Sequence, residues 1–218
     1  MIEINKTLSR DIEVNKTLSR DIETIKKISL EILDKEDIIS ISLYGGYGRG
    51  EGSWVVEEID GQIKVKPYND YDIALVVKKK FSLQKLRQLE SELLNCLDVK
   101  WIDLCQYTVS NLKFFNTTIK NYDFKYASKR IYGEMDVLAY IPSMDVKSIS
   151  LKDVETLYIT RLWTLVGSFP KKGLIKMSKD EEMFFRNQMA KAILAVVDSV
   201  LVLNKEYDAS YKKRVQKL

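Results

Sequence analysis

The sequence predicts an α/β (α+β) protein, a mixed-sheet core followed by a helical C-terminal part. Three observations carry that expectation. Short apolar runs of strand character alternate with helical spacing between residues 38 and 109. Helical spacing dominates after Pro142. The composition is that of a globular chain: of 218 residues, 45% are hydrophobic and 30% charged, and only 3 Pro and 9 Gly interrupt regular structure. These readings divide the chain into an N-terminal helix (1–36), a sheet-containing domain (37–142) and a helical region (143–218).

The first helix carries a near-perfect tandem repeat, in which Asn5 to Glu13 recurs as Asn15 to Glu23. At about 100° per residue, ten steps leave the second copy roughly 80° from the first, so one straight helix cannot bury both on one stripe. The second copy continues into Ile22, Ile25 and Ile32 at helical spacing, and the first is expected to be peripheral. Ile38 to Leu43 reads as a buried strand. Trp54 to Tyr68 reads as a hairpin, with Asp60-Gly61 as its two-residue turn. Asp72 to Val77 is a strand. Ser82 to Leu97 is a helix capped by Ser82, with Leu83, Leu86, Leu89, Leu93 and Leu97 on one side. Val99 to Val109 is a further strand, and Lys125 to Glu134 a connector. Leu151 to Val166 and Ser178 to Asn204 are helices, the second opened by a Ser178/Glu181 capping box and with its Met, Phe and Leu residues read as core. Tyr207 to Leu218, with Tyr211, Lys212, Lys213 and Arg214, reads as a frayed amphipathic end.

Histidine is absent. This excludes Ser-His-Asp and Cys-His nucleophilic catalysis and every zinc site built on imidazole. Acid–base or metal chemistry must fall to carboxylates. The two cysteines, Cys96 and Cys105, make no disulfide framework and read as buried thiols of a reducing compartment. The most apolar run, Ala190 to Leu203, is interrupted by Lys191 and Asp198 and is too short to span a bilayer, so a cytoplasmic protein without a membrane partner is expected. The net charge of +4 permits phosphate contact but leans away from a nucleic-acid partner.

Three stretches carry candidate chemistry. After the first strand, Gly45, Gly46, Gly48, Gly50 and Gly52 crowd into eight residues beside Arg49. Glycine at that density is costly unless its freedom is used, and backbone N–H groups freed of side chains can approach phosphates. The spacing fits neither GxGxxG, because Glu51 stands where glycine should, nor a P-loop, because Glu51 replaces the lysine. Next, Asp70 and Asp72 in Asn69-Asp70-Tyr71-Asp72 share one face of a strand. Two such carboxylates repel unless a cation or proton lies between them, and Mg²⁺ is the natural occupant. Last, Asp103 lies within apolar Val99 to Cys105, where a carboxylate needs a partner, a metal or a strand end.

In this order, the glycine pair, Asp-x-Asp and a later strand carboxylate resemble the DNA-polymerase-β-type nucleotidyltransferase superfamily. Gly45 to Glu51 is similar to the loop of signal-protein uridylyltransferases. The resemblance covers residues 38 to 108. It departs in the 24 positions from Gly46 to Asp70, which the hairpin occupies. The histidine-dependent domains of those uridylyltransferases do not carry over. The resemblance implies that Asp70 and Asp72 bridge two Mg²⁺ ions (or Mn²⁺). One ion would hold an NTP triphosphate, and the other would bind the acceptor hydroxyl. Asp103 would ligate the second ion and take the hydroxyl proton. Gly45, Gly46, Arg49 and Ser53 would hold the β- and γ-phosphates, and Lys129 and Arg130 would add a phosphate contact.

The expected activity is transfer of NMP from an NTP to an acceptor hydroxyl or phosphate with release of pyrophosphate, a small-molecule acceptor being favoured over a protein. The rival reading is a nucleotide-sensing or partner-binding module of toxin–antitoxin type on the same fold. A homodimer is compatible with either.

Overall fold

A computed structural model describes residues 2–133, 136–170, 173 and 176–218, with side chains from residue 9 onward. The chain forms two compact units. One comprises Met1–Phe115 with Asp123–Pro142, and the other Asn116–Tyr122 with Ser143–Leu218.

The first unit opens with helix α1 (Ile2–Ile32) and strand β1 (Ile38–Tyr44). A short helix α2 (Gly45–Gly48) leads to the hairpin β2 (Trp54–Ile59) and β3 (Gln62–Pro67). Strand β4 (Asp70–Val77), helix α3 (Leu83–Cys96) and strand β5 (Trp101–Thr108) follow. After α4 (Val109–Lys113) and α5 (Ile119–Ala127), of which only the part from Asp123 onward belongs to this unit, strand β6 (Lys129–Tyr132) closes the sheet. The sheet order is β5-β4-β1-β6. The β4–β5 pair is parallel, and β1 is antiparallel to both β4 and β6, so the sheet is mixed as expected.

Alternation along the strands decides the faces. Ile41 and Leu43 of β1 and Tyr71, Ile73 and Leu75 of β4 are completely buried, in one core with Ile25 of α1 and Leu89 and Leu93 of α3. The intervening residues Ser42, Tyr44, Asp70, Asp72 and Ala74 face the other side. Apolar burial on the first face thus delivers the candidate carboxylates to the second.

The tandem repeat behaves as its period requires. Arg10 pairs with Asp11 in the open, at 3.3 Å. The equivalent Asp21 is buried, paired with Arg20 at 3.0 Å, and accepts a hydrogen bond from the Tyr71 hydroxyl at 2.9 Å. The hairpin is also as read: Ile59 faces Gln62, and Asp60 and Gly61 both take positive φ, 51° and 74°, the conformation of a type I′ turn.

Other expectations are corrected. Lys129–Tyr132 is an edge strand on β1, not a connector, and Lys125 lies in the last turn of α5; Glu134 lies outside the described residues. Leu83 is exposed, because the first turn of α3 runs beyond the core that Leu89, Leu93 and Leu97 fill. Cys96 is exposed and Cys105 half-buried, since Leu93 and Leu97 take the inward positions around Cys96.

The second unit contains α6 (Leu151–Gly167), α7 (Lys179–Leu203) and α8 (Tyr211–Gln216). The capping box that opens α7 is present, with Ser178 and Glu181 each satisfying the other's backbone N–H. Ile149, Val154, Leu201, Val202 and Tyr207 form its core. The C-terminus is not frayed. Arg214 is buried, its guanidinium ion-paired to Asp198 at 2.9 Å and seated 4.2 Å from the Tyr207 ring. The expectation that the apolar residues of α7 are core fails in part: Met189 and Leu203 are exposed, whereas Gln188, Asp198 and Ser199 are buried. Among the described residues, no helix is long and apolar enough to cross a membrane.

Candidate active site

Strand register assembles the site. Tyr44, Asp72 and Asp103 form a row across three adjacent strands, because Tyr44 of β1 faces Asp72 of β4 and Asp72 faces Asp103 of β5. Asp70 lies two residues before Asp72 on the same face, opposite Trp101. The Tyr44 hydroxyl donates to Asp103 Oδ2 at 3.3 Å. Burial first, then the charges of Cys105, Asp72 and Asp103, push the Tyr44 hydroxyl well above its ordinary range, so it remains a donor. Trp101 Nε1 donates to Asp70 Oδ2 at 2.9 Å, and the Asn69 amide donates to Asp70 Oδ1.

The glycine loop is built against this row. Gly45 has φ of 62°, and a Cβ there would stand 1.9 Å from Asp72 Oδ2. Only glycine permits both the left-handed backbone and the close approach. The Tyr47 ring is clamped behind the loop: its hydroxyl donates to the Ser53 carbonyl and accepts from Tyr68 N–H at 3.0 Å. A Cβ on Gly52 would meet that ring at 2.3 Å. Gly46 approaches Gly52 closely, and Glu51 N–H donates to the Gly46 carbonyl at 2.9 Å.

The sequence-derived residues therefore separate into groups. Gly45, Asp72 and Asp103 are brought into contact or strict register, with Asp70 on the same face. Ser53 is exposed at the end of the loop. The Arg49 side chain is buried and engaged, 3.1 Å from Asp123 and 3.4 Å from Glu51. Arg130 faces Ser42 and so shares the Asp72 side of the sheet, whereas Lys129 faces Leu43 and lies on the opposite side. The sequence reading missed the roles of Tyr44 and Trp101. The signal for Trp101 was available: it precedes Asp103 by two residues, as Asp70 precedes Asp72.

The donor chemistry is all oxygen, the preference of a hard divalent cation. Asp72 and Asp103 are neighbours in register, and among the described residues no basic side chain forms an ion pair with Asp70 or Asp103. Among the described residues, no three His, Cys, Asp or Glu side chains converge closely enough to hold a metal together.

No family model matches the sequence, and no curated protein matches it. Among solved structures, spectinomycin adenyltransferase AAD(9) from Enterococcus faecialis, crystallised with ATP and spectinomycin, aligns at 15% identity. The alignment covers 87% of this chain and 77% of that one, with a TM-score of 0.53. The likeness is one of fold: the chain shares the fold of that adenyltransferase. Two further structures align less closely. One is a toxin–antitoxin complex with AMP-PNP, at 16% identity over 66% of this chain and 93% of that one, with a TM-score of 0.39. The other is a tri-AMPylated HEPN toxin from Shewanella oneidensis in complex with the MNT antitoxin, at 17% identity over 69% and 97%, with a TM-score of 0.38. This chain carries the β2–β3 hairpin between its glycine loop and its Asp-x-Asp strand.

Proposed function

We propose that this chain is a Mg²⁺-dependent nucleotidyltransferase that moves NMP from an NTP to an acceptor hydroxyl or phosphate and releases pyrophosphate. The observation that carries the reading is the packing of Gly45 against Asp72 within the Tyr44–Asp72–Asp103 row. This arrangement sets a glycine-rich backbone loop directly beside Asp72, one of two carboxylates in register, and the fold supports it.

Asp72 and Asp103, neighbours in register, would hold the metal, with Asp70 beside them on the same face of β4. When bound, the metal neutralises phosphate charge and lowers the pKa of the attacking hydroxyl. The chain's own residues supply position and electrostatics. Backbone N–H groups at Gly45 and Gly46 and the Ser53 hydroxyl bind the β- and γ-phosphates. Arg49, tied to Glu51 and Asp123, keeps the loop in shape. Arg130 adds positive charge on the same face of the sheet. Asp103, oriented by the Tyr44 hydroxyl, accepts the proton of the acceptor hydroxyl. The acceptor oxygen bonds to the α-phosphorus as the bond to the bridging oxygen breaks, and pyrophosphate leaves. A small-molecule acceptor is favoured, consistent with a fold neighbour whose crystals held ATP together with spectinomycin.

The test is incubation with each α-labelled NTP and Mg²⁺ or Mn²⁺, with and without cell extract, following pyrophosphate release and label transfer. Transfer to a small molecule is expected. Asp72→Asn and Asp70→Asn should each abolish it while the circular dichroism spectrum is unchanged. Full activity in both variants, or nucleotide binding with no transfer to any acceptor, sinks the reading.

A further inference from the structure

The α6–α7 hairpin turns an apolar face outward. Phe169, just past α6, packs edge-on against Phe185 in the second turn of α7 at 4.8 Å, so the two helices run antiparallel from a shared end. On α6 and just past it, Ile159, Leu162, Trp163, Val166 and Phe169 are all more than half exposed, Trp163 to 80%. On α7, Met189, Ile193, Val196, Val200 and Leu203 are exposed by 41–60%. Their spacing is regular. Steps of 3, 4 and 3 link Ile159, Leu162, Val166 and Phe169, and steps of 4, 3, 4 and 3 link Met189 to Leu203. This is the a/d spacing of a helix that packs lengthwise on another helix. It is not the buried stripe of either helix. The inward positions of α7 are mixed, with Gln188, Asp198 and Ser199 buried beside Ala195, Leu201 and Val202.

We propose that this face is a self-association surface, on which two copies of the chain pair their α6–α7 hairpins about a two-fold axis into a four-helix bundle. Three observations choose a second copy as the occupant. The first is area: ten large side chains at these exposures present on the order of 1,000 Å² of apolar surface, beyond the ~300–600 Å² of a typical monomer's largest patch. About 800 Å² per partner suffices for a stable interface. The second is charge. Residues 162–170 of α6 and its end carry none, and α7 between residues 187 and 203 carries only Lys191 and Asp198, which are not exposed. The third is the continuation of each register. Lys152 and Glu155 extend the α6 stripe, and Glu182 and Arg186, ion-paired at 2.6 Å, extend that of α7. Each stripe thus ends in one positive and one negative residue, and a two-fold copy meets balanced charge and not repulsion. A self-complementary patch of this kind is what an isologous dimer requires. The inference is independent of the proposed activity.

Sedimentation velocity on the full chain, from about 1 to about 50 µM, tests it across the range of micromolar association. Wild type should reach a mass twice its 25.3 kDa. Trp163→Glu and Ile193→Glu, at positions open to solvent in the single chain, should sediment as monomer. Val56→Glu, on the exposed hairpin, should remain dimeric. A wild type that stays monomeric at 50 µM, including one that pairs only with a different protein, overturns the proposal. So do folded Trp163→Glu and Ile193→Glu variants that still dimerise. The wild-type dilution series is decisive even if a variant fails to fold.

Discussion

Asp72 touches the most consequential glycine in the chain. With φ at 62° and no room for a Cβ, Gly45 satisfies two demands at once, and Gly45→Ala fails both. The backbone strain alone costs about 1–2 kcal/mol. The methyl group also displaces the Asp72 carboxylate, so transfer activity should fall by far more than stability does. Urea denaturation beside the transfer assay separates the two effects, and a variant with wild-type turnover would remove Gly45 from the site. Tyr44→Phe leaves Asp103 without its hydroxyl donor and should lower kcat with little change in the midpoint of unfolding. At this scale the carboxylates were readable, because a charge inside an apolar strand must have a reason. Arg49 was readable only as a basic residue. Nothing local in Gly48-Arg49-Gly50 reveals that its guanidinium is committed to Asp123, 74 residues away. Arg214 was misread for the same reason: its partner Asp198 and its ring neighbour Tyr207 belong to other turns of the chain.

Among the elements, those with local signals agree with the sequence reading and those with distant partners do not. Ser82, Ser178 and the Asp60-Gly61 turn act within a few residues of themselves, and all three appear as read. Ser178→Ala should cost about 1 kcal/mol in the urea midpoint, the worth of a cap. Strand β6 has four residues, two of them basic, and becomes a strand only because β1 offers it an edge. In α7 the periodicity was legible but its direction was not. Helical spacing sorts residues into stripes without saying which stripe meets the core. For α1 the ten-residue period did say so, since two copies 80° apart cannot both be buried. Deleting residues 2–11 should therefore leave the unfolding midpoint of the folded chain nearly unchanged. Asp21→Ala, which strips the buried Tyr71 hydroxyl of its acceptor, should lower it by about 1–3 kcal/mol.

At the scale of the whole molecule, buried tyrosines couple stability to alkaline pH. Burial above all pushes the hydroxyls of Tyr47 and Tyr71 well above the ordinary value near 10. Above about pH 10 the unfolded chain releases these protons while the folded chain keeps them. Their contribution is fully present below that pH and is lost as pH rises, by up to about 1.4 kcal/mol per pH unit for each group. The urea midpoint should be level from pH 8 to 9.5 and decline beyond, and Tyr71→Phe should make the decline shallower. The mixed fold itself was legible from the alternation of strands and helix, but the sheet order was not, because it depends on pairings between distant segments. That order sets a timetable for the nascent chain. Strand β1 can pair with β4 once about 30 more residues have been made, yet its other edge waits for β6, about 85 residues later. At the roughly 5–20 residues per second of translation, that edge stays unpaired for about 4–17 s. During synthesis it is the place where a ribosome-bound chain is open to mispairing, and where a chaperone would find its backbone.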